Sequence, residues 1–122
     1  MSGRFEDLKV WQAAMELVYV IYDLTAKYPK DELYGLVSQM RRAAVSIPSN
    51  IAEGKGRFSD KEFVVFLCHA RGSTYELQTQ CLIARHMNCF SEQDFETLAD
   101  RVANIGKMLN GLISYASSSA QS

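Results

Sequence analysis

The sequence predicts an all-α protein, an antiparallel up-down-up-down four-helix bundle with a proline kink in its second helix. Three observations carry that class. Apolar residues recur at spacings of three and four along four stretches, no stretch alternates with the period of a strand, and connections of only a few residues join the stretches. At 122 residues, 48% of them hydrophobic and only two of them proline, the chain can build one core without a metal or a disulfide. Residues 1–116 are assigned to the bundle. Residues 117–122, SSSAQS, have little to bury and are expected to form a disordered tail.

The first helix begins at Leu8 and carries two apolar seams. Leu8, Trp11, Met15, Val18, Tyr22 and Thr25 form one; Val10, Ala14, Leu17, Ile21 and Leu24 form another, about 100° around the helix. One seam is enough to face a bundle core, so the second set, Val10 to Leu24, is expected to meet another subunit. An unusually wide core face is the competing reading. Tyr28-Pro29 ends this helix, because proline disfavours the α conformation in the residue before it, and Asp31 is the expected cap of the next.

The second helix buries Leu33, Leu36, Met40, Ala43 and Ile47, and Pro48 is expected to kink it by removing an N–H and crowding the preceding turn. Gln39, Arg42, Ser46, Asn50 and Glu53, spaced 3, 4, 4 and 3, make a polar stripe on the same helix. If buried, the stripe needs partners, and Arg71 and Glu76 on the third helix are the expected ones. Arg42, Ser46, Asn50, Glu53 and Glu76 are therefore candidates for a structural polar network.

Ser59-Asp60-Lys61-Glu62 reads as a capping box opening the third helix, whose inner face holds Phe63, Phe66, Ala70, Leu77, Cys81 and Ala84. Ser91 caps the fourth, with Phe95, Leu98, Val102, Ile105, Leu109 and Leu112 on one seam. Between helices two and three, Gly54-Lys55-Gly56-Arg57 lacks both the preceding strand and the closing hydroxyl of a phosphate-binding loop. Gly54 instead suits the left-handed position just beyond a helix C-terminus.

Composition narrows the function classes. MSGRFEDLK lacks the basic start and apolar core of a signal peptide, and no apolar run reaches the length that spans a bilayer, so a cytoplasmic location without membrane contact is expected. Cys68, Cys81 and Cys89 are odd in number and lack a C-x-x-C spacing, which fits buried thiols. The net charge is -1, yet residues 35–91 hold seven basic and four acidic side chains while both flanks are acidic. Arg41, Lys55, Arg57, Lys61 and Arg71 in that middle part are the candidate nucleic-acid contacts, since affinity for phosphates comes from aligned cations. No E-x-x-H occurs, and Cys68 and His69, adjacent on a helix, point about 100° apart. Neither a metal, a cofactor nor catalysis is expected.

LVSQMRRAAVSIPSNIAEGKGR, with FEDLKVWQAAMELV before it and ARGSTYELQTQ after it, resembles the four-helix-bundle family encoded in intervening sequences of bacterial 23S ribosomal RNA genes. The likeness extends from Phe5 to about Ile113 and is most specific in the S-I-P-x-N-I-A-E-G stretch, Ser46 to Gly54, and in Ala70-Arg71-Gly72-Ser73. It implies a four-helix protomer assembled as a ring of five, without established catalysis. A related branch, the accessory protein of diversity-generating retroelements, is a basic pentamer that works with a reverse transcriptase and nucleic acid. This chain departs from it in its pI of about 6.1. The expected function is a non-catalytic homo-oligomer presenting a repeated surface to a partner, RNA or DNA. A protein-binding scaffold is the competing class.

Overall fold

In the computed structural model, residues 3–28 and 30–121 are described, with side chains for 3–28 and 35–121. A single 3-10 turn, Phe5–Asp7, leads into α1 (Lys9–Thr25), followed by α2 (Lys30–Lys55), α3 (Asp60–His86) and α4 (Glu92–Gln121). The roles expected of Pro29, and of the side chains of Asp31 and Leu33, fall outside the described residues. The short 3-10 turn was not anticipated; it turns Phe5 edge-on to Trp11, ring centroids 5.3 Å apart.

Contacts between helices run in opposite residue order. From α1 to α2, Thr25 meets Arg41, while Trp11 and Met15 share a groove with Pro48 and Ala52. From α2 to α3, Ser46 meets Ser73 and Gly54 meets Phe66. From α3 to α4, Arg85 pairs with Glu92, Arg71 bonds Asn110, and Asp60 accepts from Ser119. Glu16 of α1 meets Arg101 of α4 at 3.6 Å, closing the four-helix bundle.

The core lies between all four helices and includes Leu17, Ile21, Met40, Leu67, Leu98 and Ile105, each essentially without solvent contact. This corrects the assignment of the two α1 seams. Val10, Ala14, Leu17 and Ile21, expected at a subunit interface, are buried inside the protomer, and Leu24 packs half-buried against them. The other seam lies on the flank: Trp11 and Met15 are half-buried and Tyr22 is exposed, with only Val18 and Thr25 inside. Both seams are apolar, and one residue step turns a helix by about 100°, so the bundle takes the seam whose aliphatic side chains interdigitate best.

Two further expectations change. The segment 117–122 is not a disordered tail over its described part, since α4 continues to Gln121, anchored by buried Ala116 and by the Ser119 hydroxyl donating to Asp60 Oδ2 at 2.6 Å. Gly54 is not a left-handed terminus; it lies inside α2 and has no positive φ. A β-carbon there would stand 2.6 Å from Phe66 Cβ, so close approach of α3 is what requires glycine.

Local capping explains where α3 and α4 start. Ser59 Oγ accepts from the Glu62 amide at 3.2 Å, and Ser91 Oγ accepts from the Asp94 amide at 3.1 Å. The return leg of the Ser59 box differs from the expected one: the Ser59 hydroxyl donates to Glu62 Oε2 at 3.3 Å. Pro48 lies within α2, which continues past it to Lys55. Just beyond, the side chains of Ser49 and Asn50 donate to the Val45 and Ser46 carbonyls, each at 2.8 Å.

Candidate nucleic-acid interface

The five candidate cations do not form one patch. Arg41 sits where α1 ends against α2, its Nε donating to Thr25 Oγ1 at 2.9 Å and its guanidinium 4.6 Å above the Tyr22 ring. Lys55 is fourteen residues further along the same helix, about 21 Å away. Arg71 turns toward α4, donating to Asn110 Oδ1 at 3.2 Å and approaching Cys68 Sγ at 3.9 Å. That leaves Lys55 and Arg57, which line one cleft at the corner between α2 and α3, and Lys61 in the first turn of α3.

The corner is built by the end of one helix and the cap of the next. The Gly56 amide donates back to Ala52 and Glu53, and the Arg57 amide to Gly54, so these N–H groups are committed to closing α2. A phosphate-cradling loop needs such groups turned outward. Any anion here must be met by side chains. Gly54, Lys55, Arg57, Ser59, Asp60 and Phe63 line a cleft of about 290 Å³, with Phe58 at its rim.

Phe58 is the residue that sequence reasoning missed. It is fully exposed, at 104% of its reference area, between Arg57 and the Ser59 cap. A large apolar side chain in a connection too short to have a buried face was the available signal. Beneath it, Arg57 lies 4.6 Å over the Phe66 ring and pairs with Glu53 Oε1 at 3.0 Å. Both members of that ion pair are substantially exposed, so it contributes at most about 1 kcal/mol and yields readily to a competing phosphate. Asp60 and Glu62 stand on the same corner and oppose the cations.

The polar stripe falls into three groups along α2. Ser46 and Ser73 share a hydrogen bond of 2.9 Å across α2 and α3, and Asn50 Nδ2 donates to the Ser46 carbonyl and hydroxyl at 2.8 and 3.0 Å. Glu53 belongs to the corner. Arg42 and Glu76, expected in the same network, line an open cleft of about 480 Å³ together with Gln39, Gln80 and Ser46 itself. Arg71, expected as a partner of the stripe, lies on the opposite flank of α3 because residue 71 falls about 160° from residue 73.

The thiols are all free: Cys81 is buried, Cys68 and Cys89 half-buried. Among the described residues no three His, Cys, Asp or Glu side chains cluster as metal ligands, and no helix is long and apolar enough to cross a membrane.

The description "23S rRNA-intervening sequence protein" matches residues 6–111 of the chain as a family. Among solved structures, a protein of unknown function from the S23 ribosomal protein family of Bacteroides thetaiotaomicron VPI-5482 superposes with a TM-score of 0.78. It is 22% identical, and the match covers 85% of this chain and 97% of that one. This likeness is one of fold. No curated protein matches the chain.

Proposed function

The chain belongs to the 23S rRNA-intervening sequence protein family, and from that premise we propose that it acts without catalysis, as a self-associating bundle whose copies each present the α2–α3 corner to RNA or DNA. The observation that carries this reading is Phe58, wholly exposed between Arg57 and the start of α3 with Lys55 and Lys61 on either side. An aromatic ring among cations suits single-stranded nucleic acid, because every base offers a face to stack on while lysine and arginine follow the backbone. Self-association matters because one corner supplies few phosphate contacts, whereas linked copies convert weak sites into a tighter ensemble.

The charge of the whole chain, -1, gives no general attraction to polyanions. Binding must therefore be local and steeply weakened by salt. The test is a titration of fluorescent single-stranded RNA and DNA against salt concentration. Binding whose logarithm falls linearly with the logarithm of salt supports phosphate contact. No binding at about 50 mM salt, or a flat slope, rejects it and leaves the corner to a protein partner.

A further inference from the structure

Between α2 and α3, away from their corner, the polar cleft of about 480 Å³ is left without a role. The Ser46–Ser73 bond sets the register of its walls. One helical turn from that bond, on the side away from the corner, Arg42 of α2 comes level with Glu76 and Leu77 of α3, and nearly two turns away Gln39 comes level with Gln80. Gln39, Arg42, Ser46, Glu76 and Gln80 line the cleft with buried Ala43. Its volume lies within the range of small-molecule sites, about 300–1,000 Å³.

Gln80 is the group that the fold leaves unsatisfied. It is only 6% exposed, the most buried polar side chain of the cleft, and its Oε1 is sealed from solvent with no hydrogen-bond partner among the described residues. A buried carbonyl oxygen without a donor costs stability, which a leucine at this position would avoid. The terminal torsion of glutamine is soft and nearly two-fold, so a turn of the amide offers the oxygen to the cleft without repacking the core. Arg42 and Glu76 are exposed, one on each wall, and among the described residues neither forms an ion pair or a hydrogen bond.

We propose that this cleft binds a small zwitterion, a free α-amino acid with a short polar side chain. Its carboxylate accepts from the forked guanidinium of Arg42, and its ammonium donates to Glu76 and to the Gln80 oxygen that otherwise has no donor. Both charges are needed. A simple anion would face Glu76 and a simple cation would face Arg42, whereas a zwitterion satisfies the two walls together. The lining holds no aromatic ring and nothing apolar larger than Ala43, so a nucleobase has no face to stack on and a greasy side chain has no pocket. This site shares no side chain with the α2–α3 corner, and its test is separate from that of oligonucleotide binding.

The test is titration of the ¹⁵N-labelled full chain with glycine, L-serine and L-glutamine, each to about 10 mM. At least one should give saturable amide shifts confined to residues 39–46 and 76–80, with a Kd at or below about 1 mM. Blocking either charge of that amino acid, as its N-acetyl or its carboxamide form, should weaken binding at least about tenfold, as should Arg42→Ala and Glu76→Ala. Both of these side chains are exposed, so the two variants should keep the native urea midpoint. Gln80→Leu should unfold at a higher urea concentration yet bind at least about tenfold more weakly, stability gained where the ligand's acceptor is lost. No saturable shift with any of the three amino acids, a blocked form that binds as the free one does, or native affinity in Gln80→Leu overturns the proposal.

Discussion

Gly54 and Phe66 bring α2 and α3 together more closely than any side chain at position 54 would allow, since a β-carbon there would lie 2.6 Å from the Phe66 Cβ and 3.0 Å from the Phe63 Cδ1. Both atoms belong to the near ends of their side chains or to a ring wedged in place, so neither moves cheaply. The contact also fixes Phe66 under Arg57 and thereby shapes the corner.

Gly54→Ala should therefore destabilise the protein by about 1–3 kcal/mol, overpacking outweighing the gain in helix propensity. Gly111→Ala, on α4 with open space around its β-carbon, should instead stabilise by up to about 1 kcal/mol. Urea unfolding of the two variants decides the matter: equal shifts of the midpoint would mean that propensity alone governs both sites.

The Ser46–Ser73 bond joins residues 27 apart in sequence, and Asn50 orients its α2 end. It is half-buried, so removing one hydroxyl strands the other without water's full help. Each single change to alanine should cost about 1 kcal/mol. The double variant should cost less than the sum, with a coupling of about 0.5–1.5 kcal/mol in a double-mutant cycle. Strict additivity would show the hydroxyls to be hydrated independently.

Alkaline pH should unfold this bundle earlier than its surface charge suggests. Burial pushes the Cys81 thiol from 9.0 up to about 12, and burial also raises the Tyr28 phenol, whose hydroxyl has no partner among the described residues. Both groups are held neutral in the folded state and ionise more readily in the unfolded chain. Their stabilising effect is complete below the unfolded values and is lost as pH rises through the window from about 9 to about 12 for Cys81. The slope per group approaches about 1.4 kcal/mol for each pH unit inside that window. Urea midpoints at pH 8 and above 10 should separate, and Cys81→Ala should reduce the separation; a flat profile across that range would exclude ionisation of the core.

Much of this fold was legible because its signals are local. Ser59 and Ser91 announce helix starts through hydroxyls that reach their own third amide, and the single seam of α4 admits one orientation, with Leu98, Val102, Ile105 and Leu109 buried. What was not legible depends on a neighbour. Val10, Ala14, Leu17 and Ile21 could not be told from the adjacent seam by hydropathy, because the choice is made by how three other helices pack. In consequence Leu17→Asp should abolish folding, placing a carboxylate where no solvent reaches, and should not merely disperse an assembly. Gly54 looked like a terminus because its reason lies in Phe63 and Phe66, on another helix. The serine-rich end read as a tail since serine buries little, yet Ala116 and the Ser119–Asp60 bond hold it as helix. Grouping the five arginines and lysines by charge alone ignored helical phase, which sends Arg71 to α4, and distance along the helix, which leaves Arg41 midway along α2 beside Thr25.

Phe58 separates a stacking surface from a merely basic one. Its side chain is fully exposed, so Phe58→Ala should leave the free energy of unfolding in urea within about 0.5 kcal/mol of the native protein. If bases stack on the ring, the same variant should weaken binding of single-stranded oligonucleotide by about 1–3 kcal/mol while the salt slope stays unchanged, because no phosphate contact is removed. Lys61→Gln should do the reverse, lowering the slope by about one contact with a modest loss of affinity. Phe58→Trp should retain binding, and quenching of its fluorescence on addition of oligonucleotide would report the stack directly. Native affinity in Phe58→Ala would mean that the ring faces solvent for another purpose and that cations alone hold the strand.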